Sequence, residues 1–243
     1  MANHKQIQPE EAAGSRILRE LPIGSLERLL AGANRIECNS GDVLYSLNEE
    51  VNYLYFPSGS AVISLLNATE ENDDPLEVAI VGAEGVAGSD AFLCPHTFHQ
   101  AVVQIAGNIF RIPMKVAHDE FRLGSDFQGA MLRHLYLLLG QVSQTALCNR
   151  LHTASERLAR WLLLTLDRSP SNKLPITHEL IAQLLGTRRS TVTLTAGALQ
   201  QAGVIRVRRG DITVLDRGGL EKLACQCYST MQWIQREAIE TCH

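Results

Sequence analysis

Residues 176–195 read ITHELIAQLLGTRRSTVTLT and decide how the carboxy-terminal part of the chain folds. Three positions carry the pattern: Ala182 is followed after four residues by Gly186 and after six more by Val192. A small residue is needed where two helices cross, glycine adopts the turn between them at little steric cost, and valine buries against the first helix. This spacing is typical of a DNA-binding helix-turn-helix, so we predict two short helices around a tight turn.

The polar residues of this stretch predict helix caps and DNA contacts. Thr177 and Thr187 are each placed to cap one helix, because a threonine hydroxyl accepts a hydrogen bond from a free backbone amide. The amino end of the second helix is the part that enters the major groove, where arginine reads guanine through two hydrogen bonds. The predicted contacts from this helix are Thr187, Arg188, Arg189, Ser190, Thr191 and Thr193.

A basic hairpin is predicted behind the second helix. Residues 204–215 alternate apolar and polar side chains into a turn at residues 209–211 and out again, and Arg206, Arg208 and Arg209 would follow the DNA backbone. Residues 168–217 carry eight basic and three acidic side chains, whereas residues 1–167 carry twelve and twenty. A basic segment in a chain of net charge -4 favours a polyanionic partner, and a two-helix corner with a solvated hairpin is the alternative.

The sequence before residue 126 has a different pattern. Residues 35–112 consist of short runs of Val, Ile, Leu and aromatic residues, separated by Asn, Gly, Asp and Pro at turns. Many short strands that are closely spaced by turns predict a barrel or a sandwich.

A long helix is predicted from Asp126, where apolar residues begin to recur at alternating steps of three and four. Such a narrow seam favours packing against the same helix of a second subunit, and packing on the chain's own barrel is the alternative. Thr153 and Glu156 have the spacing of a capping box, so a new helix is expected there and the break near His152 is expected to be a hinge. The seam consists of Leu132, Leu135, Leu139, Val142 and Ala146.

Together these features resemble the Crp/Fnr transcription regulators. The resemblance rests on SGDVLY at 40–45, YFPSG at 55–59, EVAIVG at 77–82, EG at 84–85, ERLARWLL at 156–163 and the helix-turn-helix from Ile176. It implies an α+β chain with an amino-terminal β-roll, which is a double-stranded β-helix similar to cyclic-nucleotide-binding domains. A long dimerisation helix and a carboxy-terminal winged helix-turn-helix follow. The expected domains are a sensor over residues 1–125, the dimerisation helix over 126–152 and the DNA-binding domain over 153–243.

The resemblance also implies partners. We expect a cytoplasmic homodimer that binds a two-fold related operator in double-stranded DNA, with half-sites about one helical turn apart. RNA polymerase is a further candidate partner, although no residue pattern marks a contact with it. No membrane partner is expected, because the sequence has no apolar run long enough for a span.

The candidate effector pocket departs from the cyclic-AMP-binding members of the family. In those members a glutamate holds the ribose and an Arg-Ser pair holds the cyclic phosphate, whereas the matching positions here are Ser89 and His99-Gln100. A buried phosphate needs a fixed positive charge, so cyclic AMP is not expected in the usual mode and the effector is unidentified. The alternative is an orphan regulator whose roll binds no ligand. The candidate pocket residues are Val86, Gly88, Ser89, His99, Gln100, Val142 and Ser143.

No metal, iron-sulfur cluster or catalytic site is expected from the sequence. No cysteine precedes Cys38, whereas the iron-sulfur members of the family carry a cysteine cluster near the amino terminus. Cys94, His96 and His99 are interpreted as a turn that happens to contain three ligating residue types. Cys225 and Cys227 are predicted to share a helix, where residues two apart face different ways, and this disfavours a shared metal. Single histidines on helices, His134 and His152, are interpreted as surface or core residues rather than haem ligands.

Overall fold

The computed structural model describes residues 7–69 and 72–240. The chain divides into two compact units. Among the described residues, the first contains 7–65 together with Val81–Leu137, and the second contains Leu66–Ile80 together with 138–240. The domain boundaries at residues 125 and 152, which follow sequence elements, stay predictions.

The amino-terminal part of the chain forms the predicted β-roll from antiparallel strands. The strands lie in two sheets with the orders β1-β7-β3 and β2-β6-β4-β5. They are β1 (Asn34–Cys38), β2 (Val43–Tyr45), β3 (Tyr53–Ser58), β4 (Val62–Thr69), β5 (Asn72–Val81), β6 (Gln100–Ile105) and β7 (Gly107–Pro113). The helices α1 (Arg16–Glu20), α2 (Ile23–Leu30) and α3 (Met114–Arg122) flank them in sequence.

The core of the first unit forms around strands β3 and β7. Phe56 and Phe110 are direct partners across these two strands and both are buried. The buried Leu18, Leu29 and Phe127 from the helices belong to the same apolar cluster. Burial of this apolar surface is the main favourable term that holds helices and strands together.

Glu120 on α3 is a buried carboxylate that joins α3 to α2. It accepts hydrogen bonds from Arg28 Nε at 2.6 Å and from Arg28 Nη2 at 2.9 Å. The hydroxyls of Ser25 and Ser125 also donate to it. These donors stabilise the charged form and lower the pKa of Glu120 from 4.5 to about 2.

The long helix α4 (Asp126–Leu151) has the predicted extent, and α5 (Ala154–Leu166) follows it after a break. The break is the predicted capping box: the Thr153 hydroxyl accepts from Glu156 N at 3.4 Å, and the Glu156 carboxylate accepts from Thr153 N at 2.8 Å. Every residue from Leu158 to Thr165 is buried, so α5 is the central helix of the second unit.

The remaining elements of the second unit form a winged helix-turn-helix. They are β8 (Lys173–Leu174), α6 (His178–Leu184), α7 (Arg189–Gln201), β9 (Ile205–Arg208), β10 (Asp211–Val214), α8 (Arg217–Leu223) and α9 (Cys227–Glu240). The predicted hairpin is β9 and β10, and the short β8 pairs with the other edge of β10 to give a three-stranded sheet. No helix in the described part of the chain is long and apolar enough to cross a membrane.

Replacing Glu120 with glutamine should destabilise the protein by about 2 kcal/mol at pH 7, because Arg28 and two hydroxyls lose their charged acceptor. The folded pKa is lower than the unfolded one, so the carboxylate stabilises the fold above pH 4.5 and this contribution disappears as pH falls toward 2. Urea unfolding of wild type and Glu120→Gln at pH 7 and pH 3.5 should therefore show a difference that shrinks in acid.

The matched control is Asp119→Asn on the same helix, which removes an exposed ion pair with Lys115. Exposed pairs contribute little, so this change should cost under about 0.5 kcal/mol at either pH. An equal effect of both substitutions at pH 7 would contradict the role given to Glu120.

Candidate functional site

The turn between α6 and α7 has the predicted geometry. Ala182 and Val192 are buried, and Gly186 has a φ of +57°, in the left-handed region that favours glycine. Thr187 N donates to Ala182 O at 2.9 Å and closes the turn. A Cβ on Gly186 would lie 2.6 Å from Leu76 Cδ1, so a larger residue would meet a clash as well as backbone strain.

One of the two predicted helix caps is confirmed and the other is wrong. The Thr177 hydroxyl accepts from Leu180 N at 3.2 Å and caps α6. Thr187 does not cap α7, because the helix begins one residue later than expected and Arg188 occupies the N-cap position. Within the described residues no side chain caps α7, so its first free amides remain available to an external acceptor such as a phosphate.

The predicted DNA contacts on α7 lie at the surface of the second unit. Arg188, Arg189, Ser190 and Thr193 are exposed, whereas Thr187 and Thr191 are half-buried. Arg189 Nε lies 3.6 Å from Glu179 Oε2, and both side chains are more than 70% exposed. Such a pair contributes little stability, so the guanidinium can leave Glu179 for another acceptor at small cost.

The wing supplies a second group of basic side chains. Arg206 and Arg208 are exposed on β9, and Arg209 is exposed in the turn that leads into β10. Lys173 on β8 lies 3.3 Å from Asp211, which begins β10, so the third strand adds an ion pair to the sheet. The second unit therefore carries exposed arginines on both the helix and the wing.

His178 is a site residue that the sequence did not indicate. The Thr193 hydroxyl donates to Arg189 O at 3.0 Å, so in the 3.2 Å contact between Thr193 and His178 the ring Nδ1 is the donor. Burial and the nearby Arg189 lower the pKa of His178, which keeps its ring neutral at pH 7. The contact fixes Thr193 on the outer face of α7. The sequence does not indicate this contact, because His178 and Thr193 are 15 positions apart and meet only when α6 packs against α7.

Comparison with known proteins supports both parts of this architecture. The family model of the Crp-like helix-turn-helix domain matches residues 156–223. FixK2 from Bradyrhizobium japonicum is similar in structure, with a TM-score of 0.68 and 17% identity over 79% of this chain and 98% of that one. A regulator of the Crp/Fnr family from Eubacterium rectale gives a TM-score of 0.66 and 18% identity, over 86% of this chain and 97% of that one.

A third similar structure is a Crp/Fnr family regulator from Thermus thermophilus, with a TM-score of 0.62 and 24% identity over 79% of this chain and 98% of that one. The search of curated protein sequences found no match. The chain has the fold of Crp/Fnr regulators and carries a Crp-like helix-turn-helix domain. The structural likeness shows the fold along most of the chain, and the helix-turn-helix match covers the α5-to-α8 region.

The predicted effector residues fall into two sets. Val86, Gly88, Ser89 and His99 are buried and Gln100 is half-buried, all in the first unit. Val142 and Ser143 lie on the part of α4 that belongs to the second unit. The assignment of both sets to one pocket stays a prediction.

The interior of the roll around His99 is occupied by the chain's own side chains. Tyr45 Oη lies 3.1 Å from His99 Nε2, and Asp90 Oδ2 lies 3.7 Å from His99 Nδ1. The Thr97 hydroxyl donates to Asp90 at 3.1 Å. Burial lowers the pKa of His99, so the ring is neutral at pH 7 and supplies no fixed positive charge for a phosphate.

The structure also bears on the other cysteines and histidines that the sequence analysis considered as metal or haem ligands. Among the described residues, Cys94, His96 and His99 do not form a group close enough to hold a metal. The buried His134 packs against Gly85, where a Cβ would lie 2.8 Å from the ring. The prediction that Cys225 and Cys227 share a helix is wrong, because α8 ends at Leu223 and α9 begins at Cys227.

Arginines on the helix and the wing should affect DNA binding differently. Arg188→Ala should reduce the preference for the operator over random duplex by about 1–3 kcal/mol, because it removes a predicted contact to a base edge. Arg209→Ala should weaken binding to the operator and to random duplex to the same extent. It should also reduce the slope of log affinity against log salt concentration by the amount expected for about one phosphate contact. Fluorescence anisotropy at several salt concentrations measures both effects.

Lys115→Ala is the matched control, because it removes an exposed cation from the first unit. It should leave operator preference and salt slope unchanged. Equal loss of preference in Arg188→Ala and Arg209→Ala would contradict the division of roles between helix and wing.

Proposed function

We propose that the chain acts as a homodimer that binds a two-fold related operator, with α7 in the major groove and the β9–β10 wing along the backbone. The observation that carries the proposal is the exposed arginine pair Arg188 and Arg189 at the uncapped amino end of α7. Arginine there is suited to guanine edges, and the free amides suit a phosphate. The wing arginines supply the backbone contacts that dominate affinity.

The exposed face of α4 supports the homodimer. Leu132 is 54% exposed and Leu139 is 67% exposed, whereas Leu135 and Val142 of the same predicted seam are half-buried. Ala146 is exposed as well. Tyr136 within this stretch and Leu147 and Leu151 after it are exposed too. Apolar side chains in a row along one helix are suited to the same helix of a second copy.

A second candidate function is an orphan regulator whose roll binds no ligand. It is favoured by the network of Tyr45, His99, Asp90 and Thr97, in which the Tyr45 hydroxyl contacts the His99 ring and the Thr97 hydroxyl donates to Asp90. The first candidate, a roll that senses an unidentified effector, requires this network to open. Thermal stabilisation of the protein by a small molecule from cell extract would separate the two.

We further propose that the chain acts in the cytoplasm and that RNA polymerase is a candidate partner at promoters. The similar structures are of regulators rather than enzymes, and no catalytic role is proposed.

The function is tested by fluorescence anisotropy of the full chain on a labelled duplex from its own upstream region, at fixed salt, with excess unlabelled random duplex. Binding that survives the competitor supports a sequence-specific reader and favours a form that is active without effector. If the random competitor displaces the protein from every upstream fragment tested, with and without cell extract, the proposal is overturned.

Replacing Leu139 with glutamate should convert the dimer to a monomer, because it places a charge in an apolar seam. Operator affinity should fall by at least about 100-fold, since each half-site would then be bound without its neighbour. Sedimentation velocity and anisotropy measure the two effects. Leu93→Glu is the control, because Leu93 is 82% exposed in a loop outside α4. A Leu139→Glu protein that remains dimeric would contradict the seam.

A further inference from the structure

Four metal-ligating side chains meet in the second unit, although no sequence motif joins them. The ligand atoms of Cys148, His152, Cys225 and Cys227 all lie within 4.8 Å of one another. Cys148 Sγ lies 3.4 Å from Cys225 Sγ, and Cys227 Sγ lies 3.4 Å from His152 Nδ1. We propose that these four residues bind one zinc ion in a closed tetrahedral site.

Two segments that are far apart in sequence deliver the ligands. Cys148 lies in the last turn of α4, and His152 N donates to Cys148 O at 3.1 Å, so the two side chains lie one turn apart on the same face. Cys225 lies in the connection between α8 and α9, and Cys227 is the first residue of α9. Since Cys225 is outside the helix, the two cysteines can face a common point. This removes the geometric argument against a shared metal.

The spacing of the ligand atoms suits a single ion. Zinc binds sulfur at about 2.3 Å and nitrogen at about 2.0 Å, so neighbouring ligand atoms of a tetrahedral site lie about 3.3–3.8 Å apart. The two contacts at 3.4 Å are close to this value. The other pairs of ligand atoms lie no more than 4.8 Å apart, so small side-chain movements would bring them to this spacing. A polynuclear iron-sulfur cluster places several iron atoms between its thiolates and needs wider spacing.

The type of ligand favours zinc. Three thiolates and one imidazole form a soft donor set with no carboxylate, which is the Cys₃His composition of structural zinc sites. Cys148, Cys225 and Cys227 are all buried and form an apolar cluster of their own, so the site is closed to bulk water on most sides. Cys225 also lines an open cleft of about 330 Å³ together with Arg217 and Tyr228, which gives an access route for the ion.

The charge around the cluster is a second, independent observation. Zinc with three thiolates carries a net charge of about -1. Arg160 is 4% exposed and acts electrostatically on Cys148, and its Nε and Nη1 have no hydrogen-bond partner among the described residues. Buried donors without an acceptor are costly, so a negatively charged metal site beside Arg160 would stabilise its guanidinium. Binding converts three thiols to thiolates and releases three protons, while His152 binds as the neutral imidazole.

Zinc bound here would connect the end of α4 to the start of α9. The same region contains Arg157 on α5, whose Nη2 donates to Leu185 O at the end of α6. The ion would therefore hold the helix break and the start of α9 in one arrangement, beside this bond between α5 and the end of α6. This role is separate from the DNA-binding proposal, because zinc binding can be measured without DNA.

The test uses the full chain, purified under reducing conditions, with zinc itself and Co²⁺ as probes. We expect about one zinc per chain by atomic emission, and with Co²⁺ the strong visible absorption of a tetrahedral thiolate site. Cys148→Ser and Cys227→Ser should each weaken metal binding at least about tenfold, and His152→Ala should change the Co²⁺ spectrum. The matched controls are Cys38→Ser, a buried cysteine of the first unit, and Cys94→Ser, an exposed one. Both should bind as wild type.

Three results would overturn the proposal, and the first two need only the wild-type protein, so a variant that fails to fold does not prevent a decision. The first is a folded, fully reduced protein that gives no thiolate-to-cobalt absorption. The second is wild-type protein that is purified with a Cys148–Cys225 disulfide and binds no zinc after this disulfide is reduced. The two cysteines would then be a redox pair instead. The third is metal binding that is equal in wild type and all three ligand variants.

Discussion

The helix break at Thr153 is the constraint on which the second unit depends. The reciprocal bonds between Thr153 and Glu156 satisfy the amides that a new helix leaves free, so α4 ends and α5 begins at a defined residue. Before the break, the helix exposes apolar side chains such as Leu139. After it, every residue from Leu158 to Thr165 is buried. Without the cap, one continuous helix could not present an open seam and then become the centre of a core.

The central helix in turn positions the groups that would read DNA. Trp161 is buried, and its Nε1 donates to Glu77 Oε1 at 2.8 Å, so even the polar atom of this large side chain is satisfied. α5 packs against α7 and α8, and Arg157 bonds to the carbonyl of Leu185 at the recognition turn. The arginines of α7 are therefore carried by a rigid support, while their own ion pair with Glu179 is weak and exposed. Rigid backbone and free side chains are what a groove-binding helix requires.

Local features of the sequence predicted most of this architecture, and long-range contacts account for what it missed. The helix-turn-helix and the capping box are each specified within about 20 residues, so spacing alone was sufficient. The cap at Thr187 failed because its amide closes the turn at Gly186, which shifts the start of α7 by one residue. Strand β8 has two residues and exists only through its pairing with β10, 40 positions away. No local pattern specifies such a strand.

The candidate sites show the same limit. The recognition-helix arginines are sequence neighbours, whereas Cys148 and Cys225 are 77 positions apart and meet only in the folded chain. The roll interior is similar, since Tyr45 ends β2 and His99 precedes β6, and these residues meet although they are 54 positions apart. A sequence shows which residue types are present, but the convergence of distant side chains depends on tertiary packing.

The central claim, that two copies of α7 read one two-fold related operator, is tested most directly by hydroxyl-radical footprinting of the full chain on its own upstream DNA. Two protected windows on one face of the duplex, centred about one helical turn apart and related by two-fold sequence symmetry, are the predicted result. A single protected window, or protection that does not depend on sequence, would contradict the account.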